Sequence, residues 1–265
     1  MPNLIFQVDA FTDQLFGGNP AAVCPLTEWL PETLMQHIAA ENNLSETAFF
    51  VQNGGVIEIR WFTPKGEVPL CGHATLATAH VIFNSLGWPT NEIAFHSASG
   101  PLSVSREGEW YTLDFPEDMP QAVDELSGLN EAMGHPAEVI LKGQNDYFAV
   151  YASQEVVQNL RPNAEALLQL PLRGVIATAP GETLDFVSRF FVPALGIPED
   201  PVTGSAHTLL FPYWGVQLNK TEMTARQISA RGGYLKGRIN GERVLISGQA
   251  QLFMEGHLHL DRIQK

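Results

Sequence analysis

The chain has 265 residues, 45% hydrophobic and 17% charged, which supplies the core of one large domain or two ordinary ones. A formal net charge of -14 argues against nucleic acid and anionic membrane surfaces as partners. No apolar run approaches the roughly 18 residues of a membrane span. Nothing at Met1-Pro2-Asn3-Leu4 resembles a signal peptide, and Cys24 and Cys71 are expected to be free thiols of a cytoplasmic enzyme.

The partial alternation of Leu4 to Phe11 predicts a strand, Phe16 to Pro20 a turn, and Ala21 to Leu26 a further strand that buries Cys24 as an inert core thiol. Helical spacing runs from Trp29 to Ala40, with Pro31 near its first turn. Polar residues at Glu41 to Ser45 then lead into an apolar strand, and Glu46 sits at that join. Its bland reading is an exposed loop carboxylate. The sharper one is a carboxylate held against apolar walls, ready for proton transfer. Val56 to Phe62 alternates as a strand and Thr63 to Gly66 breaks it. A helix is expected from Gly72 through Phe83, stopped by Gly87 and Pro89. Cys71, Gly72 and His73 stand at its mouth, where free N–H groups and the helix dipole favour anions. Ile93 to His96 and a hairpin turning at Glu107-Gly108 follow. The acidic Pro116 to Pro120 reads as a linker.

Beyond the linker we expect a helix near residues 122–133, strands near 146–151, 173–178 and 184–191, and a helical stretch over 163–170. A loop over 197–203 delivers a second helix at Gly204, which Pro212 should kink or end. Closing strands flank Asn240-Gly241.

The two halves echo each other. Arg189-Phe190-Phe191-Val192-Pro193 repeats Arg60-Trp61-Phe62-Thr63-Pro64, and Gly204-Ser205-Ala206 repeats Gly72-His73-Ala74. Gly233-Tyr234-Leu235 matches Gly100-Pro101-Leu102, and each pair lies about half the chain apart. We read an internal duplication, with domains over 1–117 and 118–265 and a last strand that crosses back. Each domain would bring one helix mouth to a shared cleft.

Metal ligation is not indicated: His257 and His259 alternate on a strand, and no Cys pair or His–Glu cluster has ligand spacing. Structural or surface roles are read for every histidine except His73 and His207. No Rossmann or P-loop fingerprint is found, so no cofactor is expected. Ser205 lacks the second Gly of a nucleophile elbow. A racemase with one thiol on each face is excluded by count, because the second half has no Cys. Proton relocation at a carbon acid remains, with two helix mouths to stabilise a carbanion and hold a carboxylate.

The segments Gly18-Asn19-Pro20-Ala21-Ala22-Val23, Asn43-Leu44-Ser45-Glu46-Thr47-Ala48, Leu70-Cys71-Gly72-His73-Ala74-Thr75 and Gly196 to His207 together resemble the phenazine-biosynthesis PhzF-like isomerase family. The likeness continues through Ser229 to Gly233 and so spans nearly the whole chain. It implies an α+β fold like that of diaminopimelate epimerase: two similar pseudo-symmetric domains, each a curled, mostly antiparallel sheet around a central helix. It also implies a homodimer acting on a small carboxylate-bearing substrate. By position, Glu46 matches the catalytic acid/base, and His73, Asp200 and Ser205 match residues around the substrate. Gly72, Thr203 and Gly204 are expected to bind its carboxylate. Taken singly, His73 and Ser205 also read as helix caps and Asp200 as a turn former. An epimerase using Glu46 and one further base, and a non-catalytic binding protein, are the alternatives.

Overall fold

Short alternating runs separated by Gly-rich turns build most of this molecule. The computed structural model describes residues 3–123 and 126–260. The chain forms two compact units, 1–114 with 247–265, and 115–246.

The first unit begins with β1 (Asn3–Ala10), β2 (Asn19–Leu26), α1 (Glu32–Asn42), β3 (Glu46–Asn53), β4 (Val56–Thr63) and β5 (Gly66–Val68). The helix α2 (Gly72–Asn84) follows, then β6 (Glu92–Ser97), β7 (Gly100–Glu107) and β8 (Trp110–Pro116). β2 and β3 pair in parallel and are buried on both faces, so they read as continuous apolar runs rather than alternating ones. Cys24, Phe49 and Phe62 pack with Met35 and Ile38 of α1. The central helix α2 buries ten of its residues, from His73 to Phe83, and packs on β1, β2 and β3. It is apolar nearly all round because it is surrounded.

The second unit contains β9 (Gln121–Ala122), α3 (Leu129–Met133), β10 (Val139–Lys142), β11 (Tyr147–Val150), α4 (Gln154–Asn159) and α5 (Ala164–Leu168). It continues with β12 (Val175–Pro180), β13 (Phe186–Phe191), β14 (Glu199–Asp200), α6 (Gly204–Leu218), β15 (Glu222–Gln227), β16 (Gly233–Asn240) and β17 (Arg243–Gly248). The last strand, β18 (Ala250–Leu258), pairs antiparallel with β1.

The pairing pattern is the same in both units. β3 and β4 are antiparallel along one edge of β4, the short β5 and a parallel β6 share its other edge at opposite ends, and β6 turns into β7. β12, β13, β14, β15 and β16 repeat each of those relations in order. The echoed arginines hold the same place. Arg60 on β4 forks onto Glu67 of β5 at 2.7 and 2.6 Å, and Arg189 on β13 forks onto Glu199 of β14 at 2.8 Å twice.

Three expectations change. The helix expected over 122–133 is only α3; Ala122 belongs to β9, and Asp124 and Glu125 lie outside the described residues. Gly128, in the left-handed region at φ 87, sets where α3 starts. Pro212 does not end α6, which continues to Leu218. The carbonyl that proline leaves without a helical donor is that of Thr208, and the Asp118 amide donates to it at 3.0 Å. The supposed linker is therefore bonded in place: the Asp118 carboxylate also accepts the Gln144 amide, and the Glu117 amide donates to the Glu242 carbonyl.

Candidate active site

Glu46 is the first residue of β3, where the turn Asn43 to Ser45 gives way to a buried run. Its register partner in the parallel pair is Ala21 of β2. Gly18 makes the adjoining turn. Its φ is 61°, and a Cβ there would lie 2.1 Å from the Ala10 carbonyl oxygen, so only glycine fits. That turn sets Asn19 at the start of β2, wholly buried.

These pieces converge on His73, in the first turn of α2. Its Nε2 stands 3.1 Å from Glu46 Oε2. Its Nδ1 lies 3.4 Å from Cys71 Sγ and 3.3 Å from the Asn19 side-chain nitrogen. Among the described residues, neither His73 Nε2 nor Glu46 Oε2 has a hydrogen bond from protein besides this contact. Burial works against the imidazolium, but the thiol and the carboxylate on either side outweigh it and carry the His73 pKa well above the usual value. Burial, helped by the Glu46 charge, pushes the Cys71 thiol up to about 11.

Glu46, Cys71 and His73 each offer a metal-ligand atom, all within 4.8 Å of one another. Sequence spacing hid this grouping, because β3 and the mouth of α2 are separate elements. The ring meets the thiol with one nitrogen and the carboxylate with the other. The thiol and a carboxylate oxygen also lie within 4.8 Å of each other, so the three groups close a compact cluster that could pass protons through the imidazole or hold a single ion.

The remaining candidates lie in the second unit. Asp200 ends β14, half-buried, and Ser205 is exposed on the first turn of α6 behind the buried Gly204. Thr203 is the N-cap of α6, as Cys71 is of α2, so the duplication places a hydroxyl where the first half has a thiol. Neither cap side chain bonds its own helix. The cap carbonyls are met alike in the two halves: Thr75 Oγ1 donates to that of Cys71 at 2.6 Å, and His207 Nδ1 to that of Thr203 at 2.7 Å. His207 is fully buried, and burial pushes its pKa down to about 4, so it is a neutral core donor.

Two residues near the candidates escaped the sequence reading. Asn19 lay inside a quoted motif but carried no role. Gln227, 1% exposed at the end of β15, bonds both Asp200 and Thr203. Its only sequence signal was a polar residue at the buried phase of an alternating strand.

The chain is similar to known proteins over nearly its whole length. The model of the "Phenazine biosynthesis-like protein" family matches residues 8–256. An uncharacterized isomerase of Pseudomonas aeruginosa is 52% identical, over 96% of this chain and 97% of its own. The crystal structure of a PhzF-family phenazine biosynthesis protein from Enterococcus faecalis superposes with a TM-score of 0.95 at 48% identity, covering 98% of this chain and all of that one. A hydroxyproline epimerase from Agrobacterium vitis shares the fold alone, with a TM-score of 0.64 at 10% identity over 98% of this chain and 94% of that one. The match across nearly the whole length, joined to relatives that are isomerases, places this chain in the phenazine biosynthesis-like (PhzF-like) family as an isomerase.

Proposed function

We propose that the chain isomerises a small carboxylate-bearing substrate by moving a proton between carbons, without a cofactor. The observation that carries this is the buried pair of Glu46 Oε2 and His73 Nε2, 3.1 Å apart at the mouth of α2 and hydrogen-bonded to no other described protein group. Glu46 takes a carbon-bound proton. The electron pair left behind spreads into the adjacent unsaturated or carboxyl group, and the protonated Glu46 returns its proton at the second carbon. His73 holds the carboxylate and, with Asp200, hydrogen-bonds polar groups of the substrate. Ser205 and the N–H groups at Gly72 and Gly204 receive the substrate carboxylate, since uncapped helix starts attract anions. Thr203, expected to bind it too, has its amide and hydroxyl protons committed to Gln227 and Asp200 and so holds the loop instead. The family likeness supports a cytoplasmic homodimer, to be checked by sedimentation at micromolar concentration.

The test follows deuterium incorporation at carbon from heavy water into a panel of small carboxylates. Glu46→Gln keeps the shape of the side chain but not its basicity. It should slow exchange about 10²–10⁴-fold, while Cys71→Ser keeps much of the parent rate. Parent-like exchange in Glu46→Gln with a dead Cys71→Ser would make the thiol the base. A parent protein that exchanges none of the panel would favour a binding role.

A further inference from the structure

We propose that Gln227 and Thr203 are positioning residues that hold Asp200 through a hydrogen-bond chain of fixed direction, ending on the Asp200 carboxylate. This rests on the reading of Asp200 as a substrate-facing group.

The direction follows from atom types alone. The Thr203 amide donates to the Gln227 side chain at 2.9 Å, so the atom it meets is the amide oxygen, Oε1. The Gln227 nitrogen then faces the other way and donates to the Asp200 carbonyl at 2.8 Å. Its second proton points to Thr203 Oγ1, 3.2 Å away. Thr203 Oγ1 thus accepts from Gln227, and its single proton goes to Asp200 Oδ2, with which it makes a short hydrogen bond. No member of this chain can be turned round without setting donor against donor.

The surroundings fix the same segment. The Thr203 carbonyl accepts from His207 Nδ1 at 2.7 Å, so every polar group of Thr203 is engaged. Ser229, two residues beyond Gln227, donates to the Pro201 carbonyl at 2.7 Å and accepts from the Gly232 amide at 3.1 Å. Both Gln227 and Thr203 are buried, at 1% and 8% exposure, where water does not replace a lost partner. The charged neighbours of the Asp200 carboxylate include Arg173, whose guanidinium is held by Asp146. The variants below leave that pair untouched. The Ser-Ala-Arg-Gly-Gly motif that follows β15 therefore has a use: it anchors the far side of the loop whose near side Gln227 grips.

The experiment reads the Asp200 carboxyl directly, by carbon NMR of protein labelled at aspartate, with Asp200→Asn assigning the resonance. A hydrogen bond to the ionised form favours that form. Thr203→Val should therefore move the titration midpoint of Asp200 up by about one pH unit. Thr203→Ser, which keeps the hydroxyl, should restore the parent value. Gln227→Met, which frees the hydroxyl to rotate, should give a smaller rise in the same direction, and it decides the matter if Thr203→Val does not fold. A midpoint unmoved in folded Thr203→Val and in Gln227→Met overturns the proposal. The readout needs no substrate. A shifted midpoint in a protein that exchanges no carboxylate would leave the chain standing and remove the isomerase reading instead.

Discussion

The two thiols test the cluster of groups around His73. Cys24 is fully buried on β2, and burial drives its pKa far up; Cys71 is buried too, with a pKa of about 11. Iodoacetamide at pH 7.5 is expected to alkylate neither thiol in the folded protein and both in urea. Fast native alkylation of Cys71 would reveal a thiolate paired with the His73 imidazolium, and with it a second candidate base. The histidines also set a pH dependence of stability. Burial holds His207 and His80 at about 4 against an ordinary 6.5. Between those values the unfolded chain binds protons that the folded one refuses, so their contribution is fully present above pH 6.5 and lost as pH falls toward 4. His73 has the opposite sign: its raised pKa contributes stability below 6.5 that is lost as pH rises through its folded value. Urea midpoints should therefore fall on acidification from pH 6.5 to 4.5, and less steeply in His207→Phe. Equal slopes in the two proteins would show that His207 is protonated in the native state. Glu46 could be singled out as a candidate from sequence because it sits where a polar turn meets an apolar run, and His73 because it stands at a helix mouth. Gln227 could not be, because its partners lie 24 and 27 positions earlier and nothing local in β15 points to them.

Among the elements, α6 departs most from its sequence. A proline inside a helix typically costs about 3 kcal/mol relative to alanine, largely through the lost hydrogen bond and a clash. Here the Asp118 amide satisfies the freed Thr208 carbonyl. Pro212→Ala is accordingly expected to gain only about 1 kcal/mol or less in urea unfolding, because an unsatisfied buried carbonyl is not what it relieves. A gain near the full value would mean that the Asp118 contact contributes nothing. The sequence showed the breaker but not the rescuing donor, which comes from a segment that reads as a linker. The strands were more legible, since alternation and Gly turns are local signals; Gly108 and Gly241 close equivalent hairpins at φ 59 and 63. Short elements such as α4 and β10 were missed for the same reason in reverse: six and four residues hold too little periodicity to read. The duplicated Arg–Glu forks show what an echo of sequence preserves. Arg60 and Arg189 each tie a central strand to the short strand beside it, and through it to the segment leading to a helix mouth.

For the whole molecule, the decisive feature is the return of the chain. Unit one is built from both ends of the sequence, and β18 covers one edge of β1 from Asn3 to Ala10. Its entry is tightly fitted: a Cβ on Gly248 would lie 2.3 Å from the Phe11 ring, and the Thr12 amide donates to the Gln249 carbonyl at 3.1 Å. Removing residues 247–265 should therefore damage the first unit rather than the second. Hydrogen exchange is expected to show amides of β1 losing protection while those of β12 and β13 keep theirs. Loss confined to β16 and β17 would contradict this. The repeat suggested two domains with a last strand crossing back, but nothing in β18 itself says which strand it joins. The return also sets an order of events during synthesis. The second unit is continuous and can close as soon as its last strand clears the ribosome. The first unit, although begun earlier, keeps an open strand edge until β18 emerges. Such an edge is a template for wrong pairings, so a ribosome that stalls before β18 leaves the unit begun earlier, not the one completed later, as the one that sticks.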